Sequence, residues 1–340
     1  MSATPHLLFL AGARVATSHV VEIRSPFDGS AVAEVCMAGP AEYERAATAC
    51  VDAAPSVASL PLHERARILR EVSASLRDRR DVFAATIVRE AGKPLRDARA
   101  EVDRAVMTFE VAAEEARRLP GSGEVLPMDL ASHGEGRFAL TRRVPIGPIA
   151  AISPFNFPLN LVAHKLAPAL AAGNPVVLKP ASRTPLSALA LADLMHEAGL
   201  PAGALSVLPM TRETGDLLVR DDRYRLLTFT GSAEVGWAMK ARAGRKKVVL
   251  ELGGNAAVVI DEGADLDVAA ERVATGGFSY AGQSCISVQR VYVHRAAWDA
   301  WLGALLPRVR SLVVGDPMDE KTMVGPLISA GDVDRIETYG

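Results

Sequence analysis

The stretch Ile149-Ala-Ala-Ile-Ser-Pro-Phe-Asn-Phe-Pro-Leu-Asn160 decides how the chain is read. Four aliphatic residues in a row suit a strand buried on both faces. Two prolines and two phenylalanines then stiffen a turn, and a helical pattern follows over residues 161–172. The same unit recurs. Pro175-Val-Val-Leu178 precedes a helical pattern over 186–198. Leu205-Ser-Val-Leu208 and Leu226-Leu-Thr-Phe229 come next, a helix starts at Ala233, and Lys247-Val-Val-Leu250 ends the run. Short apolar runs alternating with helical patterns predict an α/β domain with a mainly parallel sheet.

Working outward, the first fifty residues read as short strands and turns, with Pro26-Phe-Asp-Gly-Ser30 as a turn. Ala66, Leu69, Val72, Leu76, Phe83 and Ile87 recur at helical spacing and predict one amphipathic helix, ended by Gly92 and Pro94. A second helix carries Val102, Val106, Phe109 and Ala113. Residues 120–143 are short, alternating and Gly-punctuated, as in an extended hairpin arm. A second α/β unit is expected from Glu251, with strands over 256–260 and 288–293 and helices over 265–279 and 296–312. The end, Ile336-Glu-Thr-Tyr-Gly340, reads as the opening of a further helix without a closing element. The expected division is residues 1–119 and 144–250 as one domain, 120–143 as an arm, and 251–340 as a second, incomplete domain.

A hydrophobic content of 49% with 23% charged residues is that of an ordinary globular protein. A net charge of −2 provides no basic footprint for nucleic acid. Three cysteines make no disulfide framework and no pair has metal-ligand spacing, so no metal site is expected. The apolar stretch Leu7-Leu-Phe-Leu-Ala11 lacks a preceding Lys or Arg and is too short to span a bilayer. A cytoplasmic location with no membrane partner is the expectation.

Three constellations carry candidate chemistry. Cys285 lies in Tyr280-Ala-Gly-Gln-Ser-Cys-Ile-Ser287, a small polar loop, whereas Cys36 and Cys50 have bland neighbours. A free cysteine often packs as a small hydrophobe; a nucleophilic one must be reachable and have its thiolate stabilised. Glu251, in Leu250-Glu-Leu-Gly-Gly-Asn255, is either an exposed edge residue or a poorly solvated carboxylate of raised pKa able to take a proton from water. One strand and one helix separate it from Cys285, which permits the two to meet. Asn156 either caps the helix that follows it or offers an amide to developing negative charge. Lys179, in Leu178-Lys-Pro-Ala-Ser182, and the stretch Phe229-Thr-Gly-Ser-Ala-Glu-Val-Gly236 each follow a strand and open a helix, a place suited to phosphate or ribose hydroxyls. No G-x-G-x-x-G occurs.

Together these segments resemble the aldehyde dehydrogenase superfamily, from Pro26-Phe-Asp-Gly to Val324-Gly-Pro-Leu-Ile328, most specifically in PFNFP, LELGGN and GQSC in that order. The resemblance implies a Rossmann-like cofactor-binding domain, an α/β catalytic domain that is incomplete here, and a β-hairpin oligomerisation arm. It implies Cys285 as nucleophile, Asn156 with the Cys285 N–H as oxyanion donors, and Glu251 activating the water that hydrolyses a thioester. Ser153, Pro154, Phe155, Lys179, Ser182, Phe229, Gly231, Ser232, Gly236 and Leu252 would line the NAD or NADP cleft. The substrate would be a small aldehyde, oxygenated or phosphorylated, and a full-length form would be a homodimer or homotetramer.

Three departures qualify the resemblance. Ser182 stands where many members carry a glutamate that grips both ribose hydroxyls, so NADP is expected beside NAD. Met210-Thr-Arg-Glu213 replaces a glycine-rich turn. The C-terminal part that would complete the catalytic domain is not seen, so residues 1–340 by themselves are expected to bind nucleotide weakly, to aggregate or lean on a partner, and to turn over little. Alternatives are a relative that releases its thioester to coenzyme A or phosphate, and a truncated non-catalytic remnant. A cysteine hydrolase using His164 or His196 fits less well, since both lie on apolar helical patterns.

Overall fold

The computed structural model describes residues 4–119 and 123–338. The chain opens with β1 (Leu8–Leu10) and β2 (Ala13–Val15), which pair antiparallel. Next come β3 (Val20–Arg24) and β4 (Ala31–Cys36), a second antiparallel pair whose turn is closed by bonds between Ser25, Gly29 and Ser30. Four helices follow: α1 (Pro40–Ser59), α2 (Leu62–Asp78), α3 (Arg80–Ala91) and α4 (Leu95–Arg118). Helix α1 starts inside the region expected to be strands and turns. The single helix expected through Ile87 is two, divided at Arg79, whose φ and ψ are −101° and 22°. Leu76 and Phe83 are spaced by two full turns, so the buried stripe keeps its phase across the break and periodicity did not reveal it.

Strands β5 (Val125–Pro127) and β6 (Phe138–Leu140) form an antiparallel arm. Its apolar side chains face outward: Val125, Leu126, Leu130, Phe138 and Leu140 are all exposed. Of the segment 120–143 expected as an arm, residues 120–122 lie outside the described residues.

The strand–helix alternation then unfolds as β7 (Ile149–Ile152), α5 (Asn160–Ala171), β8 (Val176–Lys179), α6 (Leu186–Glu197), β9 (Leu205–Val207), α7 (Arg212–Arg220), β10 (Leu226–Gly231), α8 (Ala233–Arg242) and β11 (Lys247–Leu252). Five parallel strands lie in the order β11-β10-β7-β8-β9, and β1 and β2 extend the sheet antiparallel at the far edge. Alternation on β7 feeds two cores. Ile149 and Ala151 join the one built from α2–α6, while Ala150 and Ile152 join Tyr224, Leu227 and Phe229 on the opposite face. Helix α7 was not anticipated; Thr211 caps it by accepting from the Thr214 N–H at 3.2 Å.

Helices α5 and α6 have no cap of their own, and two buried carboxylates from the helical layer supply what is missing. Glu90, at the end of α3, accepts from Leu186 N (2.7 Å) and Ser187 N (3.1 Å) at the start of α6. Glu101 of α4 accepts from Leu159 N (2.9 Å) and Asn160 N (3.1 Å) at the start of α5. Orphan helix donors thereby find acceptors in a place without water. Burial pushes the Glu90 carboxyl up to about 7 despite those bonds.

The remaining elements are β12 (Ala257–Ile260), α9 (Leu266–Phe278), β13 (Arg290–Val293), α10 (Trp298–Arg310) and α11 (Ala330–Glu337). Strands β12 and β13 pair parallel. Val258, Ile260, Val291 and Val293 pack with Trp301 and α9, whereas Val259 and Tyr292 on the other face are exposed. Among the described residues no helix is long and apolar enough to cross a membrane.

Candidate active site

Cys285 is exposed, and the other two cysteines are buried. Burial pushes the Cys50 thiol up to about 12. The Cys285 loop follows an abrupt turn: Tyr280 (φ 49°), Ala281 (φ 53°) and Gly282 (φ 73°) are consecutively left-handed. Two non-glycine residues in that region need surroundings that hold them. Those are present. The buried Tyr280 hydroxyl donates to Ala91 O at 2.6 Å. Gln283 reaches the segment 326–328, its Nε2 donating to Pro326 O (3.3 Å) and its Oε1 accepting from Ile328 N (2.9 Å).

Asn156 Nδ2 donates to Gln283 O at 2.9 Å, which places the asparagine against the cysteine loop across 127 residues of sequence. Capping of α5, the other use open to Asn156, is done by Glu101. The amide carries two N–H groups, and among the described residues only the Gln283 bond uses one. The Asn156 Oδ1 and the Ser153 Oγ are buried and have no protein partner among the described residues.

Glu251 lies near the end of the edge strand β11, in register with Thr230 of β10. It is exposed, so the poorly solvated setting considered for it is not found; β11 has no strand on its outer side. Across the same sheet face runs Lys165 of α5, buried, with its Nζ donating to Thr230 Oγ1 (2.8 Å) and Thr228 Oγ1 (3.1 Å). Burial pulls this ammonium down to about 8, and the charge of Glu251 works the other way. His164, beside it, is lowered by burial and by Arg104 and Lys165. Lys165 of α5 thus lies within reach of the Glu251 charge, and Asn156, just before α5, is bonded to the cysteine loop.

The expected cofactor residues sit at the ends of β7, β8, β10 and β11. Lys179 is half-buried and donates to Pro180 O (3.4 Å); burial and the nearby Arg212 push it down to about 8. Its methylenes run past α7 where Gly215 leaves room, since a Cβ there would lie 2.8 Å from Lys179 Cδ. Ser182 Oγ donates to Met210 O at 3.3 Å. Pro154 and Phe155 are half-buried in the loop after β7. Ser232 precedes α8, which has no side-chain cap. Gly231 and Gly236 have a packing reason for being glycine: a Cβ on Gly231 would stand 2.5 Å from Phe229 Cζ, and one on Gly236 2.5 Å from Leu252 Cδ2. No group of three potential metal ligands occurs among the described residues.

Lys165, Arg212, Gly215 and Gln283 were not singled out from the sequence. Lys165 was hidden in an apolar helical pattern, and Gln283 had no signal beyond its nearness to Cys285. Arg212 lay in a segment noted only as departing from the expected turn.

With this geometry in place, comparison with known proteins is decisive about kinship. The chain belongs to the aldehyde dehydrogenase family, whose sequence description matches residues 14–340. The 3-sulfolactaldehyde dehydrogenase of Priestia aryabhattai is 42% identical over 333 residues, covering 98% of this chain and 69% of that protein. Aldehyde dehydrogenase 21 from Physcomitrella patens, solved in complex with the reaction product succinate, is 45% identical with a TM-score of 0.96, over 99% of this chain and 71% of that one. The NADP-dependent glyceraldehyde-3-phosphate dehydrogenase from Bacillus halodurans, complexed with NADP, is 32% identical with a TM-score of 0.95, again over 99% and 71%. The chain therefore spans roughly seven-tenths of the length of these relatives. The α/β fold is that of the family, and NAD(P) is its cofactor.

Proposed function

We propose that this chain carries the cofactor cleft and the nucleophile of an enzyme that oxidises a small aldehyde to a carboxylic acid. The observation that carries the reading is the Asn156 Nδ2–Gln283 O bond, which sets an amide donor beside the loop of the one exposed cysteine. Cys285 Sγ, as thiolate, adds to the aldehyde carbon, and the carbonyl oxygen becomes an oxyanion in the thiohemiacetal. The second Asn156 N–H and the Cys285 backbone N–H meet that charge. In the cleft that Lys179, Ser182 and Gly231 would line, bound NAD(P) would supply the hydride acceptor, and loss of hydride from the thiohemiacetal carbon leaves a thioester on Cys285. Glu251 takes a proton from water as its oxygen attacks the thioester; the carboxylic acid leaves and the thiolate returns. Glu251 is what favours hydrolysis over release to coenzyme A or phosphate.

The residues present suit a dinucleotide. Among the described residues Ser153 Oγ is buried without a partner and α8 has no side-chain cap, and Lys179 and Arg212 form a cationic corner with a serine, not a carboxylate, at position 182. That corner fits a 2′-phosphate, so NADP is favoured. Two of the three relatives are named for sulfolactaldehyde and glyceraldehyde 3-phosphate, and the third was solved with its reaction product succinate, all molecules that carry an anionic group; a small aldehyde with such a group is the proposed substrate class. The exposed apolar arm of β5 and β6 fits pairing with a second copy. The test is NADPH formation with a panel of anionic and neutral small aldehydes, in wild type and in Cys285→Ala. Anionic aldehydes should turn over best, and the variant should be silent. Wild-type-like turnover by the variant would refute the reading.

A further inference from the structure

The loops that carry Asn156 and Cys285 are held by a buried ion pair belonging to neither. Lys93 Nζ pairs with a Glu101 carboxylate oxygen, and both side chains are about 1% exposed. The other Glu101 oxygen accepts from Leu159 N and Asn160 N, fixing the chain three residues after Asn156. Lys93 Nζ lies 3.6 Å from the centroid of the Phe157 ring, next in sequence to Asn156, and 4.7 Å from the ring of Tyr280, which opens the cysteine loop. Tyr280 is tied in turn to Ala91, two residues before Lys93. Pro326, which accepts from Gln283, packs on Gly92: a Cβ there would lie 2.7 Å from Pro326 Cγ. The segment 91–93 therefore touches every loop that reaches the cysteine.

A buried ion pair is a poor device for stability, since well-packed apolar residues often serve as well or better. Here its geometry gives it a different use. One ammonium between two aromatic faces, one from each loop, fixes the distance between the loops. One carboxylate fixes the ammonium and the first turn of α5 together. Neither group lies on the path of substrate, cofactor or proton described above.

We propose that Lys93 and Glu101 are positioning residues for the oxidation, acting through Asn156 by holding its amide in register with the Cys285 loop. The proposal rests on the aldehyde-oxidation reading, which fails separately if the wild type forms no NADPH.

The test uses the full-length protein and the double variant Lys93→Met/Glu101→Gln, which neutralises both partners so that neither is left charged without the other. In an otherwise wild-type background kcat should fall about 30-fold, the loss expected when a reacting donor shifts by a fraction of an ångström. KM for aldehyde and for NADP should stay within about threefold. In an Asn156→Ala background the same double change should cost less than about threefold, because the amide it positions is gone. An equal loss in both backgrounds, or an unchanged kcat in the first, overturns the proposal. Phe157→Leu, which removes one aromatic contact and leaves the pair intact, guards against failure of the double variant to fold. It should lower kcat about fivefold and likewise lose its effect when Asn156 is alanine. A Phe157→Leu enzyme with wild-type kcat also overturns it.

Discussion

Gly231→Ala separates the use proposed for this glycine, room for a cofactor, from the one its packing gives, room for Phe229. The new methyl would stand 2.5 Å from Phe229 Cζ and 3.1 and 3.2 Å from the adjacent ring carbons. Phe229 is 5% exposed and packed with Leu227, Leu252 and Met239, so the ring has little space to yield. Overpacking of this kind costs ~1–3 kcal/mol. Replacing a glycine at the end of a strand returns at most ~0.5–1 kcal/mol through the unfolded chain. The net expectation is a loss of about 1–2 kcal/mol, which for a chain of this size lowers Tm by ~1.5–3 °C. Differential scanning calorimetry without nucleotide measures it. Phe229→Leu removes the ring carbons that clash, so the Gly231→Ala/Phe229→Leu pair should be less destabilised than the two single losses added together, with a coupling of ~0.5–2 kcal/mol. A Gly231→Ala protein that melts like wild type, or singles that simply add, would refute the packing argument and leave the cofactor as the reason for glycine.

Further outcomes follow from the same geometry. Ser182→Glu should move the kcat/KM ratio from NADP toward NAD by at least tenfold, because a carboxylate beside Lys179 and Arg212 repels a 2′-phosphate; an unchanged ratio would remove Ser182 from the ribose. Lys165 is held at about 8 against an ordinary lysine value of 10.5. Between those pH values the unfolded chain binds more protons, so stability rises with pH across the window. Lys165→Met should reduce that rise in urea titrations at pH 7.5 and 10; identical pH slopes would contradict the burial assigned to Lys165. Alkylation by iodoacetamide should mark Cys285 and spare Cys36 and Cys50, read by peptide mass; preferential labelling of Cys50 would contradict the burial of its thiol.

The sheet was legible because its inner strands are unbroken aliphatic runs, as Ile149–Ile152 and Val176–Val177 show, with turn residues marking each end. The exposed cysteine was legible for a similar reason: only Cys285 has small polar neighbours. Other features were carried by no local pattern. The break at Arg79 leaves the helical stripe in phase. Helix α7 is capped by Thr211 in a segment noted for what it lacked. The caps of α6 and α5 come from Glu90 and Glu101, 96 and 58 residues away along the chain respectively. Glu251 illustrates the opposite limit, since a glutamate between aliphatics reads equally as edge or interior, and only the strand order shows it on an edge.

The most direct test of the central claim is to trap the acyl group on Cys285. Glu251→Gln should be mixed with a small anionic aldehyde and NADP, quenched within seconds, and analysed by intact mass and peptide mapping. The account predicts a burst of NADPH close to one per site, an equal amount of acyl adduct on the peptide containing Cys285, and slow turnover afterwards. Steady turnover at the wild-type rate, or a burst without an adduct on Cys285, would contradict it.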